Sequence, residues 1–260
     1  MAKPTWKKFP HADKAFVFAG PALKKNWERL HRGDREPFPA DAEVQEAWRL
    51  YHQGEFAKAY EAGLAAGIDG YNVANKATMI YANYLETDEK RKLTLFQEVS
   101  DRCEELQEAQ PKNANAYYIQ AYALGRYSQG ISVLKALAQG LGGKIQTALE
   151  TALKLDPKHA DAHSALGAYH AEVVDKVGAM IGKLTYGASK DVAVKHFESA
   201  LKLAPDSAIA CIEYANALVM LFGNSKMDQA VKLYEKAAAA TPVDAMERLD
   251  VELAKSELEE

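Results

Sequence analysis

The chain has 260 residues, 48% of them hydrophobic, and a formal net charge of -4, enough for one large core or two small ones and too little positive charge for nucleic acid as the main partner. Lys7-Lys8 runs into Phe9-Pro10-His11 rather than an apolar leader, and the most apolar stretch, 208 to 223, is broken by Glu213 and Asn216 and too short for a stable membrane span. The two cysteines, Cys103 and Cys211, fall on apolar faces of predicted helices and read as reduced core residues, so the expectation is a cytoplasmic protein.

In chain order, residues 1 to 12 are expected to be loosely held, and Pro21 suits the first turn of a helix ending near His31, with Gly33 just beyond. Trp27 and Phe38 are candidates to plug the open end of whatever follows. A first helical pair turns at Gln53-Gly54-Glu55-Phe56 and ends at Gly67 and Gly70. Val73, Ala77, Ile80, Tyr81 and Tyr84 form the next apolar stripe, with Asn72, Asn75 and Lys76 on another face, and a charged helix spans 89 to 109. A third unit turns Tyr117, Ala121 and Leu124 inward and runs on through 130 to 143; a fourth carries Ala162, Leu166, Tyr169, His170 and Val173 and runs on to Tyr186. The two glycine-rich extensions sit at equivalent places in neighbouring units, so they are expected side by side and sheltered from water. After a fifth unit, residues 243 to 258 form an amphipathic helix with Met246, Leu249, Leu253 and Leu258, its acidic outer face suited to a cap.

Small-large-small-Pro spacing recurs at Ile145, Leu149, Ala152 and Pro157; at Ala193, Phe197, Ala200 and Pro205; and at Ala230, Tyr234, Ala237 and Pro242. With Leu166-Gly167 in the preceding helix, this resembles the tetratricopeptide repeat, although successive prolines lie 46, 48 and 37 residues apart from Pro111 on, where the repeat period is about 34. The long excursions, followed by Gly187-Ala188-Ser189 leading into Phe197 and Pro205, resemble the subgroup that contains the regulators of microtubule dynamics and the helical-repeat component associated with TRAP-type transporters. The resemblance implies an all-α, right-handed solenoid of about five hairpins: an N-terminal extension and capping helix over 1 to 39, an array over 40 to 242 and a capping helix over 243 to 260, one domain in all. It also implies partner binding and the handling of lipids or small ligands.

Chemistry is sparse. His159, His163 and His170 read as packing residues rather than a metal set, because two of them take inward-packing repeat positions and no carboxylate stands at helical spacing. Gly140-Leu141-Gly142-Gly143-Lys144-Ile145 lacks the first Gly and the final Ser or Thr of a phosphate loop, and no nucleophile elbow occurs. A non-catalytic chain without cofactor is therefore expected. Carrying the repeat's groove positions across gives Tyr118, Tyr122 and Arg126, then Ser164, Ala168 and Glu172, then Ile212, Asn216 and Met220, with Asn75 and Lys76 upstream and Arg126 placed to pair with Glu172. The first expectation is an adaptor holding a peptide or protein on this concave face. The alternative is a hydrophobic small molecule or lipid in a pocket walled by 126 to 144 and 173 to 188, and a third use of those segments is a homo-oligomer interface. Residues 1 to 36 carry nine Lys or Arg against four Asp or Glu, and 242 to 260 carry two against seven, so the chain has a basic head and an acidic tail.

Overall fold

A computed structural model describes residues 6–259; residues 1–5, which belong to the segment expected to be loose, and the side chains of Val133 and Leu134 in the first extension lie outside the described residues. Among the described residues there is helix and no strand. After α1 (Pro21–Leu30) come α2 (Ala42–Gln53) with α3 (Phe56–Ala65), then α4 (Tyr71–Ile80, prolonged by a π turn over Tyr81–Leu85) with α5 (Glu89–Ala109). The third pair is α6 (Ala114–Gln129) and α8 (Leu141–Leu155), interrupted by the short α7 (Val133–Ala138). The fourth is α9 (Ala160–Val177) and α11 (Lys190–Leu203), interrupted by α10 (Ala179–Tyr186), and the fifth is α12 (Ala208–Phe222) and α13 (Met227–Ala238) before α14 (Ala245–Glu259). The result is the α-solenoid that the repeat pattern implies.

Local chemistry sets the boundaries. Asp41 accepts from the amides of Glu43 and Val44 at the start of α2, which Gly54 ends in a left-handed conformation (φ 89°). Ser189 accepts from the amide of Val192 to cap α11, with Asp191 in the first turn. His159 caps α9: its Nδ1 accepts from the Ala162 amide at 3.1 Å and its Nε2 meets Asn115 Oδ1 at 2.9 Å, so both ring nitrogens are engaged and the residue is fully buried. Within the fourth pair, a Cβ on Gly167 would lie 2.9 Å from the Phe197 ring, so only glycine lets α9 and α11 approach this closely. His163, His170 and His196 pack together, with His163 Nδ1 2.9 Å from His196 Nδ1 and His170 stacked on His196.

Two features change the picture of an open trough. First, the array closes on itself. Tyr51 of α2 donates to Met246 Sδ at 3.1 Å, His52 Nδ1 meets Asp244 Oδ2 at 2.7 Å, and Tyr84 donates to the buried Asp250, so α14 packs back on the first hairpins. Secondly, the N-terminal segment is part of the core rather than a loose end. Trp6 stacks between Tyr60 and Tyr81, and Phe9 packs edge-on against Phe56, so residues 6–12 are anchored by aromatic burial. Trp27 does meet Phe38, at 5.0 Å between ring centres, but it also packs on Trp48, His31 and His52.

From α1, residues 29–36 run as a strap along the inner face formed by the first helix of each pair. Asp34 meets Lys76 of α4, Glu36 accepts from Asn72 of α4 and Asn115 of α6, and Arg35 meets Asp156 ahead of α9. The Asp161 amide donates to the Gly33 carbonyl, Arg32 reaches Asp206 ahead of α12, and Arg29 reaches Glu247 of α14. The basic head and acidic tail thus meet within one chain.

Candidate functional site

What the strap leaves open on the inner face is a cleft between α6 and α9, with a cavity of about 350 Å³. α9 and α12 pack closely, whereas α6 and α9 part, and the gap stays unfilled where small residues line it: Ala121 and Gly125 on α6, Ala165 and Ala168 on α9. A Cβ on Gly125 would meet no atom within 4 Å, so the space beside it is empty. α8 supplies the floor with Leu141, Ile145 and Leu149, and the extensions supply the sides with Ile131, Ala136 and Leu137 on one hand and Val173, Val177 and Tyr186 on the other. The two extensions meet where Tyr186 lies over Gly142. Both extensions therefore shelter their inner sides as expected, but Met180, Ile181 and Leu184 on the outer side of α10 face solvent, contrary to the expectation that these segments avoid water.

Polar groups gather toward the ends of α6 and α9, with one ion pair between. At one end stand Tyr118, Asp161 and Ser164; at the other, Gln129, Glu172 and Lys176. Between them, the Arg126 guanidinium lies over the Tyr122 ring at 5.2 Å and pairs with Glu213 of α12 at 2.6 Å. The expected partner of Arg126, Glu172, is instead held by Lys176 at 2.6 Å and by Gln129. The cause is curvature: the bend of the array brings α12 across α9 to α6, so an acid two units away is closer than one in the next unit. Burial would depress the Arg126 pKa, but Tyr122 and Glu213 outweigh it and keep the cation firmly charged. Burial also raises the Tyr118 and Tyr122 phenols, which therefore stay neutral.

Of the residues expected in a binding groove, Tyr118, Tyr122, Arg126, Ser164 and Glu172 line this cleft together with Ala168. The other five do not reach it, Ile212 being buried in the core with Ala208 and Cys211. Asn75 is fully buried, donating to Cys103 Sγ and accepting from Arg102 at 2.7 Å, and Lys76 is buried beneath the strap against Asp34. Their polarity serves the interior rather than a partner. Asn216 is exposed and accepts from Tyr234, and Met220 is partly exposed, both away from the cavity. Sequence reasoning missed Glu213, although it is the single charged residue of the apolar α12, and it missed the floor position of Leu141.

Beneath the strap lies a second, wholly internal polar system. Burial alone would raise the Asp34 carboxyl, but Lys76 and His31 override it and hold it well below the usual carboxylate range, while Lys76 is raised in turn. Burial and the neighbouring Asp34 push Glu36 up to about 7, against the hydrogen bonds from Asn72 and Asn115. Burial brings His31 down to about 4. His31 Nδ1 faces Asp34 at 2.9 Å and His52 Nδ1 faces Asp244 at 2.7 Å, while the two Nε2 atoms stand 3.2 Å apart.

Helical pairs with small-large-small second helices, bent round an inner face that has a cleft, define a tetratricopeptide-type repeat protein. The crystal structure of a thermophilic TPR protein of Thermus thermophilus aligns over 82% of this chain and 97% of that one, with a TM-score of 0.57 at 18% identity, which is a likeness of fold. The sequence profile of regulator of microtubule dynamics protein 1-3 matches residues 44–260, and the chain belongs to that family. No curated protein shows a significant sequence match. The matched span begins after the strap.

Proposed function

We propose that this is a non-catalytic binding protein whose working part is the α6–α9 cleft, and that its occupant is an elongated hydrophobic small molecule such as a single acyl chain. The observation that carries the reading is the cavity itself: about 350 Å³, floored and walled by aliphatic side chains, with its charged groups held in intramolecular pairs such as Arg126–Glu213 and Lys176–Glu172. That volume falls in the range of small-molecule sites. The ion pairs Arg126–Glu213 and Lys176–Glu172 are placed to meet a polar end, since either cation can exchange its intramolecular carboxylate for one on the ligand. Among the described residues of the cleft, no Ser or Thr hydrogen-bonds a His, Asp or Glu side chain.

Native mass spectrometry of the purified chain and displacement of a fluorescent fatty acid test this. The wild type is expected to carry or take up ligand, and Ala168→Phe, which fills the cleft from α9, is expected to lose at least tenfold in affinity with an unchanged circular dichroism spectrum. Ligand uptake equal in both proteins removes the cleft from consideration.

A peptide or protein partner on the concave face is the second reading, favoured by the strap. Residues 29–36, the end of α1 and the turn that follows it, already lie along that face and are held by α4, α6, α9, the turn before α12 and α14, the way a repeat array grips a peptide. A partner segment would use the rim that remains, at Tyr122, Arg126 and Glu172. Replacing Tyr122 and Arg126 with Ala should then abolish capture of the partner in a pull-down while Ala168→Phe leaves it intact.

A further inference from the structure

α10 is built inside out. Its inner side is Gly182, packed on Val173 and Val174 of α9, and Tyr186, which lines the cleft. Its outer side carries Met180, Ile181 and Leu184, which are 77%, 56% and 81% exposed. Leu184 stands four residues from Met180 and three from Ile181, which gathers all three on one side of the helix. Across the cleft, Leu137 of α7 is 49% exposed as well. Large aliphatic groups gathered on two short helices at one rim, rather than scattered singly, mark a contact surface.

The charges around them say what that surface meets. Residues 130–149 and 176–190 contain five lysines and no Asp or Glu. Lys176 is taken by Glu172, and Lys190 donates to the Leu221 carbonyl. Lys135, Lys144 and Lys183 are exposed, and among the described residues no carboxylate pairs with them. The nearest acids along the chain, Glu150, Asp175 and Asp191, stand outside the two segments. A second copy of the chain docked on this face would set lysine against lysine, which disfavours self-association here. Aliphatic tips fringed by ammonium groups on long stems match a bilayer instead: the tips reach the acyl boundary while the ammonium groups stay among anionic headgroups.

We propose that the rim formed by α7 and α10 docks on anionic membrane surfaces, with Met180, Ile181 and Leu184 inserted and Lys135, Lys144 and Lys183 against the headgroups. The docking face is separate from the cleft interior, so it operates whether or not the cleft holds a ligand. Flotation of the full chain with vesicles of phosphatidylcholine alone, and of phosphatidylcholine with phosphatidylserine, tests it. Binding is expected on the serine-containing vesicles, weakened by added salt. Met180→Ser/Leu184→Ser should lower the partition coefficient by at least about tenfold, given what burial of a Leu or Met contributes. Lys144→Gln/Lys183→Gln should lower it about 25-fold, roughly fivefold for each lysine near the surface. All four side chains are exposed, so folding is not at stake, and Ala168→Phe should float like the wild type even if it loses its ligand. Absence of flotation, flotation indifferent to phosphatidylserine, or binding unchanged in both double variants overturns the proposal. So does a dimer, or a complex with an acidic protein, that Met180→Ser/Leu184→Ser dissolves while vesicle binding persists.

Discussion

At the scale of single residues, the most consequential groups are buried charges that a sequence reading places on the outside. Asn75 and Lys76 share one face of α4 with Asn72, and a polar helix face reads as a solvated or binding face; here the strap covers Asn72 and Lys76, and α5 covers Asn75. Lys76 pairs with Asp34 at 2.5 Å, and both are almost completely buried. Removing one partner strands the other charge, so Lys76→Met should destabilise by about 3–5 kcal/mol in urea unfolding, and adding Asp34→Asn should recover much of that loss. Glu36 gives the pH counterpart. Its carboxyl binds a proton up to about pH 7 when folded, against about 4.5 when unfolded, so the folded chain holds an extra proton between those values and stability falls as pH rises through them. Although the residue is partly exposed, its carboxyl lies between Asn72 and Asn115, and the loss is on the order of 2–3 kcal/mol. Glu36→Gln should therefore gain stability relative to wild type from pH 5 to pH 8 in thermal melts; a constant difference across that range would refute the assignment.

At the scale of elements, helix existence and pairing were readable because apolar periodicity, capping residues and prolines all agree. The expected helix over 89 to 109 is α5 to the residue, capped by Asp88 and stopped before Pro111. Ser189 and Gly167 also act as their positions imply. Because Phe197 is fully buried and stacked on Tyr214 at 5.0 Å, its ring has nowhere to retreat. Gly167→Ala should cost about 1–3 kcal/mol by pushing α9 off α11, readable as a lowered Tm. Less readable were the extensions. Their glycines and aliphatic residues predicted shelter from water, but eight-residue α10 has a side, with Gly182 and Tyr186, that packs on α9 and the cleft, and a side that meets nothing among the described residues. Periodicity tells which residues share a face and not which face finds a neighbour.

At the scale of the whole molecule, the strap and α14 turn a presumed open trough into a closed body. Two kinds of interaction hold the strap, and magnitudes separate them. Apart from the buried Asp34–Lys76 pair, its ion pairs lie at the surface, as in Arg35–Asp156 and Arg32–Asp206, and are worth about 0–1 kcal/mol each. Phe16, Leu23, Trp27 and Leu30, on the segment and helix that lead into it, are buried and contribute about 1.5–3 kcal/mol apiece. Trp27→Ala should therefore lower unfolding free energy by about 3–5 kcal/mol, whereas Arg32→Ala/Arg35→Ala should change it by no more than about 1–2 kcal/mol. The reverse order would mean that charge, not burial, fastens the segment.

Sequence alone determined that the chain is a stack of helical pairs with two lengthened members, because periodicity and caps act within a few residues of the chain and need no knowledge of what lies across the fold. Tertiary structure alone decided where polarity goes. Only the bend of the array puts Glu213 beside Arg126, slides residues 29–36 over Lys76, and spreads α6 from α9 to leave an apolar cleft, since each depends on curvature summed over several units rather than on any local signal.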